Sequence, residues 1–104
     1  MKRILADIHL FETSKGGRVK PLPNLVFKCP LFFKGINELS SHGYDCRMLV
    51  EEVGREINPG DRVMSMPIIF LSPNEVFHHL FIGAKFDIWE AGVIGCGVVS
   101  LIEE

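Results

Sequence analysis

Hydrophobic and polar residues alternate along residues 3–12. Ile4, Ala6, Ile8 and Leu10 fall on one side, and Arg3, Asp7 and His9 fall on the other. A period of two is that of a half-buried β-strand. Leu5 and Phe11 lie on the mostly polar side, which predicts that this side is covered in part. Thr13 to Arg18, with Gly16 and Gly17, reads as a loop, prolonged to Asn24 by Pro21 and Pro23. Leu25 to Phe33 reads as a second strand. Pro30 there is expected at an edge or bulge, because it cannot donate a ladder hydrogen bond. Residues 34–43 form a loop with one helical turn at 36–39. Tyr44 to Val53 resumes the alternation and is expected to be a strand.

Asn58-Pro59-Gly60-Asp61 predicts a tight turn, with proline presetting φ and glycine relieving the strained position. Arg62 to Leu71 is the next strand, stopped by Ser72-Pro73-Asn74. Residues 74–79 fit either a short helical turn or an irregular loop. A strand lies within Leu80 to Trp89, Glu90-Ala91-Gly92 makes a hairpin turn, and Ile94 to Ile102 forms the last strand. Six or seven strands at regular spacing, with no long helix, predict an all-β sandwich or small barrel.

Composition adds bounds. The chain has 104 residues, one domain's worth, with 47% hydrophobic and 23% charged residues, which excludes wholesale disorder. Eleven basic and 13 acidic residues give a formal charge of −2, against a sequence-blind polyanion binder. No apolar run approaches a membrane span, so no membrane partner is expected. Asp7 interrupts the N-terminal segment too early for a signal peptide. Three cysteines with no framework spacing predict reduced thiols and a cytoplasmic location.

Three segments, in order, carry a resemblance. They are Ala6-Asp7-Ile8-His9-Leu10 with Gly16-Gly17-Arg18-Val19-Lys20-Pro21, then Pro59-Gly60-Asp61-Arg62-Val63, then Phe86-Asp87-Ile88-Trp89-Glu90-Ala91-Gly92 with Ile94-Gly95-Cys96-Gly97-Val98-Val99. Their order and spacing resemble the C-terminal β-barrel domain of translation elongation factor Tu. That family has Gly-Gly-Arg-His-Thr-Pro, a Pro-Gly-Asp turn, Phe-Ala-Ile-Arg-Glu-Gly-Gly-Arg and Val-Gly-Ala-Gly-Val-Val in these places. The resemblance spans roughly residues 4 to 102. It implies a six-stranded antiparallel Greek-key β-barrel. It also implies a surface that, in the family, packs on the GTPase domain and touches the T-arm of aminoacyl-tRNA.

The departures bear on function. The chain has no Gly-x-x-x-x-Gly-Lys-Ser/Thr loop, so no nucleotide binding and no GTP hydrolysis are expected. Arg18 matches the first family arginine, but Val19 stands in place of the histidine, with Lys20 restoring a charge one place later. Ser72 replaces the lysine of the family's Lys-Pro. Ala91-Gly92-Val93 shortens the second turn and removes its arginine, and Trp89 replaces another. Each lost phosphate contact removes a counterion-release contribution. A tRNA partner is therefore weakened, and a protein partner is the first expectation.

Six residues are candidates for binding. Arg18 and Lys20 would contact an anion or an acidic partner, or else solvate a glycine loop. Phe77, His78 and His79 lie in an apolar segment that looks inserted relative to the family. They would form a protein-binding patch, or fold back over the barrel. Trp89 is the one tryptophan, and an exposed partner contact and a local core plug both fit it. No metal site is expected, since adjacent histidines project apart and no further ligands are spaced for zinc. No cofactor is expected either. Cys29, Cys46 and Cys96 form no Cys-x-x-Cys pair, and Cys96 between two glycines reads as a small buried residue. A catalytic thiol would need a base and an electropositive setting, and the sequence shows neither. The expected function is a non-enzymatic interaction module; RNA or tRNA binding is the alternative, and a small thiol enzyme the remote one.

Overall fold

The computed structural model describes residues 2–104. The alternating segments become six strands: β1 (Arg3–Leu10), β2 (Val26–Lys34), β3 (Tyr44–Leu49), β4 (Arg62–Phe70), β5 (Lys85–Trp89) and β6 (Val93–Glu103). All pair antiparallel, in the closed order β1-β4-β3-β2-β5-β6. The run β2-β3-β4 is a meander, and β5 returns to lie beside β2, which makes the barrel a Greek key. Closure gives every strand a neighbour on both sides.

Period two decides what faces inward. Ile4, Ala6, Ile8 and Leu10 of β1 are buried, as are Leu31, Met48, Met66, Ile68, Phe86 and Ile88 on the other strands. Leu5 and Phe11 on the outer phase are half-buried, as expected. Among the described residues no buried side chain is polar or charged, so the barrel is held by apolar packing at roughly 1.5–3 kcal/mol per large side chain. Gly97 faces inward too. A Cβ there would lie 2.4 Å from Phe86 Cζ and 3.1 Å from Ile8 Cγ2, so the absence of a side chain lets the Phe86 ring fill the barrel axis.

Two long connections cross between opposite walls. Residues 11–25 join β1 to β2 at one end of the barrel, and residues 71–84 join β4 to β5 at the other. The first end is sealed by Leu22 and Ile57, which pair through an isolated bridge and are fully buried. The second is sealed by Ile36, Leu39, Val76 and Phe77. The Asn58–Asp61 turn forms as predicted: Asp61 N–H donates to Asn58 O at 2.9 Å, with Gly60 at φ 94°. Pro30 pairs with Asp45 of β3, while the ladder to β5 starts only at Leu31. It therefore sits at a local edge, not at a bulge.

The expected strand Tyr44–Val53 ends early. Met48, Leu49 and Val50 are buried in succession, which breaks the period of two. The chain turns there into one helical turn, α1 (Val50–Val53), closed by Gly54 at φ 86°. Residues 73–79 take the helical alternative: α2 (Pro73–Val76) followed by a 3₁₀ turn, Phe77–His79. β4 carries a bulge opposite Asp7, between the pairs Ala6–Met66 and Ile8–Val63. Ser65 sits in it at φ 57°, and its N–H donates to Asp7 Oδ1 at 3.0 Å. No described helix is long and apolar enough to cross a membrane.

Candidate functional site

The glycine loop after β1 places Arg18 against the barrel, not in free solvent. Its Nε donates to Lys20 O at 3.1 Å, and its Nη1 donates to Glu90 Oε1 at 2.5 Å. The guanidinium lies 5.2 Å from the centre of the Phe27 ring. A planar guanidinium suits this combination of carboxylate and aromatic face. Arg18 thus straps the 11–25 connection to the β5–β6 turn, and most of its charge is answered within the chain. Lys20 is exposed. Arg18, Val19, Lys20 and Glu90 line a shallow, open concavity of about 340 Å³.

Trp89 is the residue before Glu90, at the same end of the barrel. It stands on the outer face of β5 and is 39% exposed, so it is not a core plug. Its ring centre is 6.0 Å from that of Phe32, on the outer face of β2 and 37% exposed. Gly43 opens the space beside Phe32: a Cβ there would lie 2.8 Å from the ring. Val93, paired with Trp89 across the β5–β6 ladder, extends the apolar surface. Charged groups border it, including Lys34, whose Nζ lies 3.1 Å from Asp87 Oδ1. Phe32 is a candidate that sequence reasoning missed. Its signal is its phase: it occupies an outward position of β2 between Lys28 and Lys34, as Trp89 does on β5 after Lys85 and Asp87.

Phe77, His78 and His79 lie at the opposite end, in the connection that leads into Lys85. They and Trp89 therefore do not share a surface. Phe77 is 8% exposed and packs edge-on against Phe70, with ring centres 6.1 Å apart. It caps the core, so of the two readings the fold-back over the barrel holds for Phe77, and it is not an exposed contact. The reason is local: α2 turns Val76 and Phe77 inward together, leaving His78 exposed and His79 half-buried. Arg18, Lys20 and Trp89 lie at one end of the barrel, and the two histidines lie at the other.

Cys96 is also corrected. The inward positions of this part of β6 are Gly95 and Gly97, so Cys96 projects outward and is half-buried. It is directly opposite His9 of β1 and lines a groove of about 190 Å³ with Asp7, His9, Arg62, Met64 and Val98. Among the described residues no group of three or more His, Cys, Asp and Glu side chains is placed to hold a metal. Cys29 and Cys46, separated in sequence, are directly opposite on β2 and β3, with their sulfurs 3.7 Å apart. Hydrogen bonding to Cys29, and then burial, push the Cys46 thiol well above its ordinary pKa. No protein-family model matches the chain, and no curated protein matches it.

Proposed function

We propose that this chain is a non-enzymatic interaction module that binds a protein partner through the barrel face centred on Trp89 and Phe32. The observation that carries the reading is the outward pairing of two large aromatic rings in strand positions whose neighbours are charged. Aromatic anchors surrounded by a charged rim are the usual composition of protein-binding patches. The rim here consists of Lys20, the Arg18–Glu90 pair and the Lys34–Asp87 pair, which would tune partner choice more than affinity. The sequence resemblance to the C-terminal barrel of elongation factor Tu supports a translation-related partner. The replacement of a family arginine by Trp89, and the loss of another from the shortened Ala91-Gly92-Val93 turn, favour protein over tRNA on this face. Binding of a phosphate by Arg18 would first require its release from Glu90.

The test is affinity capture by the full chain from lysate of its source organism, with and without RNase, beside the Trp89→Ala/Phe32→Ala variant. The reading expects one protein enriched regardless of RNase and lost with the double variant. Capture that vanishes with RNase, or that the double variant leaves unchanged, overturns it.

A further inference from the structure

We propose that Cys29 and Cys46 form a latent cross-strand disulfide, closed by small-molecule disulfides and stapling β2 to β3. The inference is independent of the binding face.

Geometry is the first support. The two residues are directly opposite in the β2–β3 ladder, which runs unbroken from Val26–Leu49 to Leu31–Tyr44. Opposed residues in such a ladder have Cα atoms about 4.5–5.5 Å apart, within the roughly 4.4–6.8 Å that disulfides span. The sulfurs already face each other at 3.7 Å. Bond formation at about 2.0 Å needs side-chain rotation, not strand movement. The third thiol, Cys96, belongs to β6, two strands away from β2 in the barrel order, and is not part of the pair.

Access is the second support. Both thiols are buried, at 5% and 0% exposure, so the reaction requires local opening. The structure provides a place for it. Residues 26–30 of β2 are laddered to β3 alone, because the β5 ladder begins at Leu31. Pro30 supplies no N–H there. At the start of this stretch the Arg18 guanidinium lies over Phe27, two residues from Cys29, and is bonded to Glu90. Local openings range from almost no cost up to that of global unfolding, and a segment paired on one side opens more readily than one paired on both.

The small disulfide is the oxidant. One thiolate attacks a sulfur of the small disulfide, releasing one small thiol and leaving a mixed disulfide. The facing thiolate then attacks the protein sulfur of that mixed disulfide and releases the second small thiol. Each protein cysteine loses a hydrogen, and the S–S bond that forms replaces the one that breaks. The small disulfide is reduced by two electrons and gains two protons.

The experiment uses the full chain and its Cys96→Ala variant, equilibrated with graded ratios of oxidised to reduced glutathione. Samples are quenched in acid, denatured, alkylated and weighed intact, and the peptides are mapped. The proposal expects both proteins to lose two hydrogens, with residues 29 and 46 in one linked peptide. Only the wild type should also carry glutathione, at Cys96. The bridged form should unfold in urea with its folding equilibrium constant raised on the order of a hundredfold, for a loop of this length. Arg18→Ala should speed bridging. Full alkylation of Cys29 and Cys46 at every ratio, or a separate glutathione on each, would overturn the proposal. A bridged form no more stable than the reduced one would overturn its stapling role.

Discussion

Gly97→Ala should loosen the whole barrel through one methyl group. Gly97 lies directly between Ile8 of β1 and Phe86 of β5 in the two ladders it joins. The added carbon would sit 2.4 Å from Phe86 Cζ, 2.7 Å from Cε1 and 3.1 Å from Ile8 Cγ2. Contacts of that kind do not persist, so the ring must move. It has little room: Phe86 is 1% exposed, its ring centre is 5.8 Å from that of Phe33, and Phe33 is 6.0 Å from Phe70. Overpacking of this sort costs about 1–3 kcal/mol. For a domain of this size that lowers Tm by about 5–20 °C. The measurement is thermal and urea unfolding of Gly97→Ala, Phe86→Leu and the double variant. The shorter side chain should make room for the methyl, so the double variant should be more stable than the sum of the singles by at least about 0.5 kcal/mol. A Gly97→Ala melting point within about 2 °C of the parent, or strict additivity, would refute the packing argument.

Other perturbations separate the binding face from the core. Phe77→Ala should cost about 3 kcal/mol in urea unfolding while leaving partner capture intact at temperatures where the variant is folded; loss of capture from a folded variant would restore Phe77 to the interface. Ala91 sits at φ 53° in the β5–β6 turn, before Gly92. Ala91→Asn, which tolerates that conformation, should therefore stabilise the chain by about 0.5–1 kcal/mol, and a fall would contradict the turn geometry. A double-mutant cycle of Arg18→Ala and Glu90→Ala should give a coupling of about 0.2–1 kcal/mol, since Glu90 is well exposed. No measurable coupling would mean that the strap is not held by this pair.

The strands were legible because alternation is a direct record of a two-sided wall. β1 follows that record residue by residue. The record fails where one residue in the pattern carries no side chain: Gly95 and Gly97 take the inward positions of β6, and Cys96 beside them looks buried when it faces out. It also fails where apolar residues cap a barrel end, since a cap has no period. Phe77 and Leu39 belong to connections, and for Phe77 the closed fold decides between the two readings that the sequence left open. Arg18 was legible as a loop cation, but its partner Glu90 is 72 residues away, a distance that no local pattern encodes. The Cys29–Cys46 pairing needs the β2–β3 register, which the irregular 35–43 loop does not specify. Phe32 and Trp89 were readable in part, as aromatic residues on the charged phase of their strands, but their adjacency depends on β5 returning beside β2.

Trp89 itself offers the most direct test of the binding face, because it is the chain's one tryptophan and its emission reports on that face alone. The full chain should be titrated, at graded salt, with the protein that it captures from lysate, and separately with tRNA. The account predicts a blue shift and protection from a soluble quencher with the protein, abolished by Phe32→Ala, and no change with tRNA. Unaltered emission with the protein, or a change with tRNA that fades as salt rises, would contradict it.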